Sequence, residues 1–286
     1  MQTIVKKAPV ERAQDFATIC DLGEFYTVAA AVPESESHRR QCTAGRTWTG
    51  RKSYDKSLEQ IKSGDMSGVA ASDALLEQLE GAVSLSHTWK TVLDVTGGAP
   101  NIPAYLSGQP LNMRRRQRVL SEQGPLCVFA SLELSAGVDI DTMRKRGASL
   151  LAMVRVLSRV RPVELWVCCS IGGVNYASHV LVRIDTAPLD LARAAHVLTC
   201  PSVTRGIGYG VCATQSDKNG HAWAGNWAYA DADAYRRTAL ENFKAMVNPS
   251  AEAILLPAAH LGDPCVRDPV KWLKEMLAKY GGAIEE

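Results

Sequence analysis

Between Leu126 and Ile184 an apolar run, a basic amphipathic helix and two further apolar runs follow one another with almost no spare residues. Few folds accept that order. Leu126 to Leu134 is apolar at successive rather than alternate positions, so the strand it predicts is buried on both faces and its sheet must be covered by helices. Asp139 or Asp141 caps the helix that follows, along which Met143, Gly147, Leu150, Leu151, Val154 and Leu157 recur at helical spacing. Arg144, Lys145, Arg155 and Arg159 occupy its other face. Pro162 ends it, and Val163 to Cys169 and Ser178 to Ile184 predict two more strands. A connection through a helix lets strands 126–134 and 163–169 lie parallel. The expected fold class is therefore α/β, a mainly parallel sheet flanked by helices.

The rest of the chain is arranged around this unit. Residues 1–47 are weakly periodic, with Phe25, Tyr26, Val28 and the run Ala29 to Val32 suggesting a strand, and predict an N-terminal arm or extension. Residues 48–118 predict a helical segment and an ordered loop packed on the core, which itself spans 119–286. Ser53 caps a helix carrying Tyr54, Leu58 and Ile61 that Gly64 stops, and Ser72 opens a second through Leu75, Leu76 and Leu79. Thr88 to Val95 suits a strand, and Ala99 to Met113, with three prolines, an ordered surface loop. Further on, Pro188 fits the first turn of a short helix, 232–247 a longer one, Ala253 to Leu256 a strand, and Asp268 with Pro269 opens the final helix.

Composition narrows the class of function. Lys and Arg number 32 against 30 Asp and Glu, so the whole molecule has no field to hold a polyanion, and any nucleic-acid binding must come from local clusters. No run of about 18 apolar residues exists to span a membrane, and the first ten residues carry no export signal, which predicts a soluble, unexported protein. The eight cysteines form no Cys-x-x-Cys pair and several lie inside apolar runs, as buried thiols of a reducing cytoplasm do.

Three groups of residues are candidates for chemistry. Ser131, Glu133 and Ser135 alternate oxygen side chains at the carboxyl end of the first buried strand, where ligands of open α/β sheets gather. This strand end resembles the von Willebrand factor A domain, whose Asp-x-Ser-x-Ser element holds Mg²⁺; here Ser131 stands at the Asp position and Glu133 at the first Ser. The alternative is a strand end whose polar side chains cap the next helix. Basic residues cluster at Arg114, Arg115, Arg116 and Arg118, at Arg144, Lys145 and Arg146, and at Arg155, Arg159 and Arg161. Such groups contact phosphates, and Trp223, Trp227 and Tyr229 could stack unpaired bases beside them. The alternatives are solvated helix faces and a packed Trp-rich lid or a subunit contact. Around His260, Asp263, Cys265 and Asp268 the spacing suits no zinc site, since Asp268 is the cap before Pro269. Cys168 and Cys169 lie in a buried strand, and Gly206, Gly208 and Gly210 lack the strand and helix a phosphate loop needs.

Trp48, Thr49 and Gly50, Asp94 to Gly98, Pro103 to Gly108 with Pro110 and Met113, Ser135 to Gly137, Arg146 to Ala148, and Glu164 with Trp166 together resemble a family of bacteriophage and prophage proteins. The resemblance covers about 48–184 and implies viral origin without an activity. Its shared set is rich in glycine and proline and holds no trio of acid, base and nucleophile. The expectation is a non-catalytic binding protein engaging nucleic acid or a viral protein in the host cytoplasm or virion, without a membrane. Two alternatives stay open: an Mg²⁺-dependent von Willebrand A-like adaptor gripping a partner carboxylate, and a hydrolase lacking a recognisable motif.

Overall fold

Every position of the strand 126–131 is buried in the computed structural model, which describes residues 2–7, 14–36, 39–40, 49–50, 53–80, 89–118, 125–132, 138–172, 176–218, 240–241, 243–245, 247–248, 250–257 and 262–281. In chain order the elements are β1 (Gln2–Lys7), β2 (Gln14–Asp21), α1 (Leu22–Ala30), α2 (Tyr54–Ser63), α3 (Ser67–Glu80), β3 (Trp89–Asp94), β4 (Ala99–Pro100), α4 (Ile102–Leu106), β5 (Met113–Arg118) and β6 (Leu126–Ser131). There follow α5 (Ile140–Leu157), β7 (Val163–Gly172), β8 (Tyr176–Ile184), α6 (Leu191–Thr199), a π-helical turn (Val203–Gly208), α7 (Tyr209–Lys218), β9 (Glu252–Leu256), α8 (Pro264–Arg267) and α9 (Pro269–Tyr280).

The main sheet has the order β1-β2-β8-β7-β6-β9. β2 with β8, β7 with β6 and β6 with β9 are parallel; β7 with β8 and β1 with β2 are antiparallel. The protein is thus α/β with a mostly parallel sheet flanked by helices, and the β6–α5–β7 unit is parallel as its sequence requires. Strand alternation explains the unbroken apolar runs. Leu126, Val128 and Ala130 of β6, with Leu165 and Val167 of β7, join a large cluster shared with α1, α2, α3, α5, α6, α7 and α9. Their neighbours Cys127, Phe129, Trp166 and Cys168 turn to the opposite face, where Leu240 and Phe243 cover them. At β6 both faces are covered, so consecutive residues are buried rather than alternate ones.

α5 lies at the centre of the larger cluster. Asp139 accepts the Thr142 amide at 2.6 Å to open it, and Gly147 admits α6 so closely that an added Cβ would stand 2.2 Å from the Leu198 carbonyl oxygen. The Ser53 cap, the Gly64 stop and the Asp268 cap are all present. Tyr54 of α2 is wholly buried and its hydroxyl donates to the Ala29 carbonyl at 2.7 Å.

Several segments differ from expectation. Residues 22–30 are helical rather than extended, because Asp21 and Glu24 form a reciprocal capping box that outweighs the aromatic and β-branched content. The 1–47 segment, read as an arm, contributes β1, β2 and α1, and β2 pairs with β8 inside the sheet. α3 begins at Ser67, ahead of Ser72, whose hydroxyl instead accepts from Arg155 at 3.1 Å. Pro188 precedes α6 without entering it, since Asp190 takes the Arg193 amide and is the cap. The stretch 99–113 is only partly loop: it holds β4 and α4 and leads into β5 of a separate three-stranded sheet, β3-β5-β4. Gly208 opens no phosphate loop, because a Cβ there would meet Cys169 Sγ at 2.5 Å and the glycine is a packing residue. The described cysteines are thiols, and all but Cys200 are buried. Among the described residues no helix is long and apolar enough to cross a membrane.

Candidate functional site

The Arg114–Arg118 cluster is a β-strand. β5 pairs antiparallel with β3, Leu93 facing Arg114, Thr91 facing Arg116 and Trp89 facing Arg118, and on its other edge Ala99 of β4 also faces Arg114. Two-residue periodicity gives positions 114, 116 and 118 one face of this ribbon and 113, 115 and 117 the other. Thr91, Leu93, Arg114 and Arg115 are exposed, whereas Val92, Asp94 and Met113 are half-buried. On the face opposite Arg114, Arg115 Nη1 sits 3.1 Å from Asp94 Oδ2, and that hydrogen bond holds the Asp94 carboxyl below its ordinary pKa. Arg114 has no ion-pair partner among the described residues.

Gly97 makes the ribbon's tight corner, where a Cβ would stand 2.4 Å from the Arg114 carbonyl oxygen. Val95, Ile102, Tyr105, Leu106 and Leu111 are exposed around the same small sheet. None of the described residues of 89–118 belongs to either core cluster. The ribbon therefore presents charge and apolar surface that the core does not use.

The other basic groups are divided by their surroundings. Arg146 is 5% exposed; its Nη1 donates to the Ser131 carbonyl at 2.7 Å and its Nη2 to those of Pro257 at 2.6 Å and Leu256 at 3.4 Å. Burial pushes its guanidinium pKa down, partly countered by Cys265 and Asp263 nearby. Arg205 donates to the Val138 carbonyl at 2.7 Å and is lowered by burial in the same way. These two cations thus hold the backbone on either side of 133–137. Arg155 pairs with Asp73 at 2.6 Å and Arg161 with Glu252 at 2.6 Å, which makes both internal struts. Arg144 and Lys145 are exposed, Lys145 Nζ lying 2.7 Å from Asp141 Oδ2.

Arg144 and Lys145 border a cleft of about 510 Å³, closed by Asp65 and Gly68 at the start of α3 and by Thr199 and Cys200 at the end of α6. Behind it, Ser202 Oγ donates to Ser57 Oγ at 2.7 Å, Ser57 Oγ lies 3.3 Å from His196 Nε2, and His196 Nδ1 lies 3.9 Å from Asp65 Oδ2. An aspartate, a histidine and a serine in a row suggest nucleophilic catalysis. Two facts oppose it: Ser57 is wholly buried, and His196 Nε2 is 2.9 Å from the Ser57 carbonyl oxygen, which only an N–H can satisfy. The row ties α2 to α6.

A family model described as Domain of unknown function (DUF7192) matches residues 10–282. The chain belongs to the DUF7192 family. No curated protein matches it, and no solved structure does.

Of the residues singled out from sequence, Arg114 and Arg115 come together on the ribbon with the backbone positions of Arg116 and Arg118, and Arg144 and Lys145 come together at the cleft. Ser131 is buried, with its carbonyl bonded to Arg146. Glu133, Ser135, Trp223, Trp227, Tyr229 and His260 lie outside the described residues. Sequence reasoning missed Asp65, Thr199 and Cys200 as cleft residues, because they come from segments far apart in the chain and form no local pattern. It took Arg146 for surface charge, although its place among Met143, Gly147 and Leu150 on the apolar stripe of α5 was a signal of burial.

Proposed function

We propose that this protein is a non-catalytic nucleic-acid-binding protein that lays the outer face of the β3–β5 ribbon along a phosphate backbone. The observation that carries the reading is the alternation on β5: by register positions 114, 116 and 118 fall on one face, the one on which Arg114 is exposed, spaced about 6.7 Å apart by the strand repeat, in a small sheet outside both core clusters. A two-stranded ribbon is also of a size that the major groove of duplex DNA admits. Tyr105, exposed on the same unit, offers a ring for an unpaired base.

Three phosphate contacts contribute about −2.7 to the slope of log affinity against log salt on duplex DNA. Between 50 and 200 mM salt that is roughly a fortyfold loss of affinity. Fluorescence anisotropy of labelled duplex and single-stranded oligonucleotides measures the slope directly. Replacing Arg114, Arg116 and Arg118 together by alanine should flatten it by this amount, whereas Arg115→Ala, whose charge Asp94 already meets, should leave it nearly unchanged. An unaltered slope in the triple variant overturns the reading.

The resemblance to bacteriophage and prophage proteins supports a viral origin, with action in the host cytoplasm or the virion; structural or replication genes beside the coding sequence would bear this out, and a purely chromosomal setting would count against it. The parallel β6–α5–β7 unit supports the von Willebrand A-like reading of the fold. The Mg²⁺-dependent adaptor is the weaker alternative, because the Arg146 guanidinium donates to Ser131 at the same strand end and repels a divalent cation.

A further inference from the structure

The cleft between α3, α5 and α6 has the dimensions of a small-molecule site: its 510 Å³ falls within the roughly 300–1,000 Å³ of ligand pockets. Small residues keep it open. Gly50, Gly68, Ala71 and Pro201 supply its walls, and Gly68 lets α3 approach α6 so closely that a Cβ would meet Thr199 Oγ1 at 2.5 Å.

Two carboxylates, Asp65 and Asp141, and two cations, Arg144 and Lys145, line it, and they are not all paired with one another. Lys145 is matched by Asp141 at 2.7 Å. Asp65 accepts the Ser67 amide at 3.0 Å and turns its other oxygen toward His196. Arg144 is left with no ion-pair or hydrogen-bond partner among the described residues, on the wall of a concave site. His196, 1% exposed, lies behind the Asp65 wall with its Nδ1 3.9 Å from Asp65 Oδ2. The first turns of α3 and α5 also line the cleft, and the positive ends of both helices add to the field that Arg144 sets.

We propose that this cleft binds a phosphomonoester on a body of about mononucleotide size, with Arg144 gripping the phosphate and Thr199 and Cys200 at the opposite wall. A planar guanidinium presents two parallel N–H groups to a phosphate, and a dianion answers both it and the helix ends. The phosphate could belong to a free nucleotide or to the phosphorylated end of a nucleic acid, and these share one chemistry. The site is separate from the ribbon and does not depend on it.

Cys200 supplies a direct readout, because it is the one described cysteine that is not buried and it lies on the cleft wall. The full chain is treated with iodoacetamide alone, with adenosine, with adenosine 5′-monophosphate, and with an oligonucleotide with or without a 5′-phosphate. Alkylation of Cys200 is followed by peptide-level mass spectrometry, and the affinity of adenosine 5′-monophosphate by calorimetry. The expected result is saturable slowing of Cys200 alkylation by a phosphorylated probe and none by adenosine or the unphosphorylated oligonucleotide. Arg144→Ala should weaken binding at least about tenfold, as loss of a charged hydrogen bond does. Protection by the mononucleotide identifies a free nucleotide, and protection by the phosphorylated oligonucleotide alone identifies a chain end; either upholds the site. Protection by neither, equal protection by adenosine, or undiminished binding in Arg144→Ala overturns it. Because the ribbon is read by its salt slope in the triple arginine variant, failure of one proposal leaves the other standing.

Discussion

Two arginines two residues apart on α5 should respond oppositely to the same substitution. Arg146 makes three hydrogen bonds to main-chain carbonyls at the ends of β6 and β9, at 2.7, 2.6 and 3.4 Å, and its Nε lies 3.7 Å from Asp263 Oδ2. In Arg146→Ala those carbonyls and the carboxylate lose a buried cation, at about 1–3 kcal/mol for each strongly bonded acceptor. Removing one partner from a buried ionic arrangement costs about 3–5 kcal/mol in all, and 4 kcal/mol is a fair middle value. With a urea dependence of about 2–3 kcal/mol/M, the midpoint of unfolding should fall by roughly 1.5 M. Arg146→Lys should recover little of it, because a single ammonium cannot span both strand ends. Arg144→Ala, exposed and unpaired, should stay within about 0.5 kcal/mol of the parent. Urea titrations followed by tryptophan fluorescence and by far-ultraviolet dichroism give both values. Equal midpoints for the two alanine variants would show that the guanidinium at the strand ends contributes no more than a surface charge, and the reasoning from burial would be refuted.

Two further outcomes follow from α5. Gly147→Ala improves intrinsic helix propensity by about 1 kcal/mol, yet its Cβ would press on the Leu198 carbonyl at 2.2 Å; overpacking against backbone should prevail by about 1–3 kcal/mol, so thermal unfolding should move down, and a rise would refute the close approach of α5 and α6. The second concerns Asp139, whose carboxyl is held below its ordinary pKa chiefly by the Thr142 amide and then by the Thr142 hydroxyl. A folded-state value depressed in this way stabilises the protein above the unfolded carboxyl pKa, and the contribution is lost as pH falls through the folded value. The gap in urea midpoint between the parent and Asp139→Ala should therefore be full at pH 7 and shrink below about pH 4; a gap independent of pH would refute the cap's charge dependence.

The central part of the fold was legible because its signals are local. A strand buried on both faces is apolar at consecutive positions, as β6 is from Leu126 to Ala130 and β7 from Leu165 to Cys169; caps at Ser53, Asp139 and Asp268 announce their helices within three residues. α1 was misread because its aromatic content speaks for a strand, and only the pairing of Asp21 with Glu24 speaks for a helix. The role of β2 was hidden for another reason: Gln14–Asp21 gains its partner from β8, and nothing near it in the chain reports that pairing. For the candidate site, the sequence located the Arg114–Arg118 cluster without its strand. The division of positions 114 and 115 between faces follows only once 113–118 is known to be a strand. The cleft was wholly invisible, since Asp65, Arg144 and Cys200 meet through the packing of three helices.

The pairing of β2 with β8 has a consequence for how the molecule is made. The Cys20 thiol and the Leu181 carbonyl it meets are separated by 161 residues. At about 5–20 residues per second on the ribosome, the first strands wait some ten to thirty seconds for the neighbour that shelters them. β9, which flanks β6 on the far side, emerges later still. Completion of the sheet is thus deferred until most of the polypeptide has been synthesised, and in that interval the edges of its first strands stand unmatched.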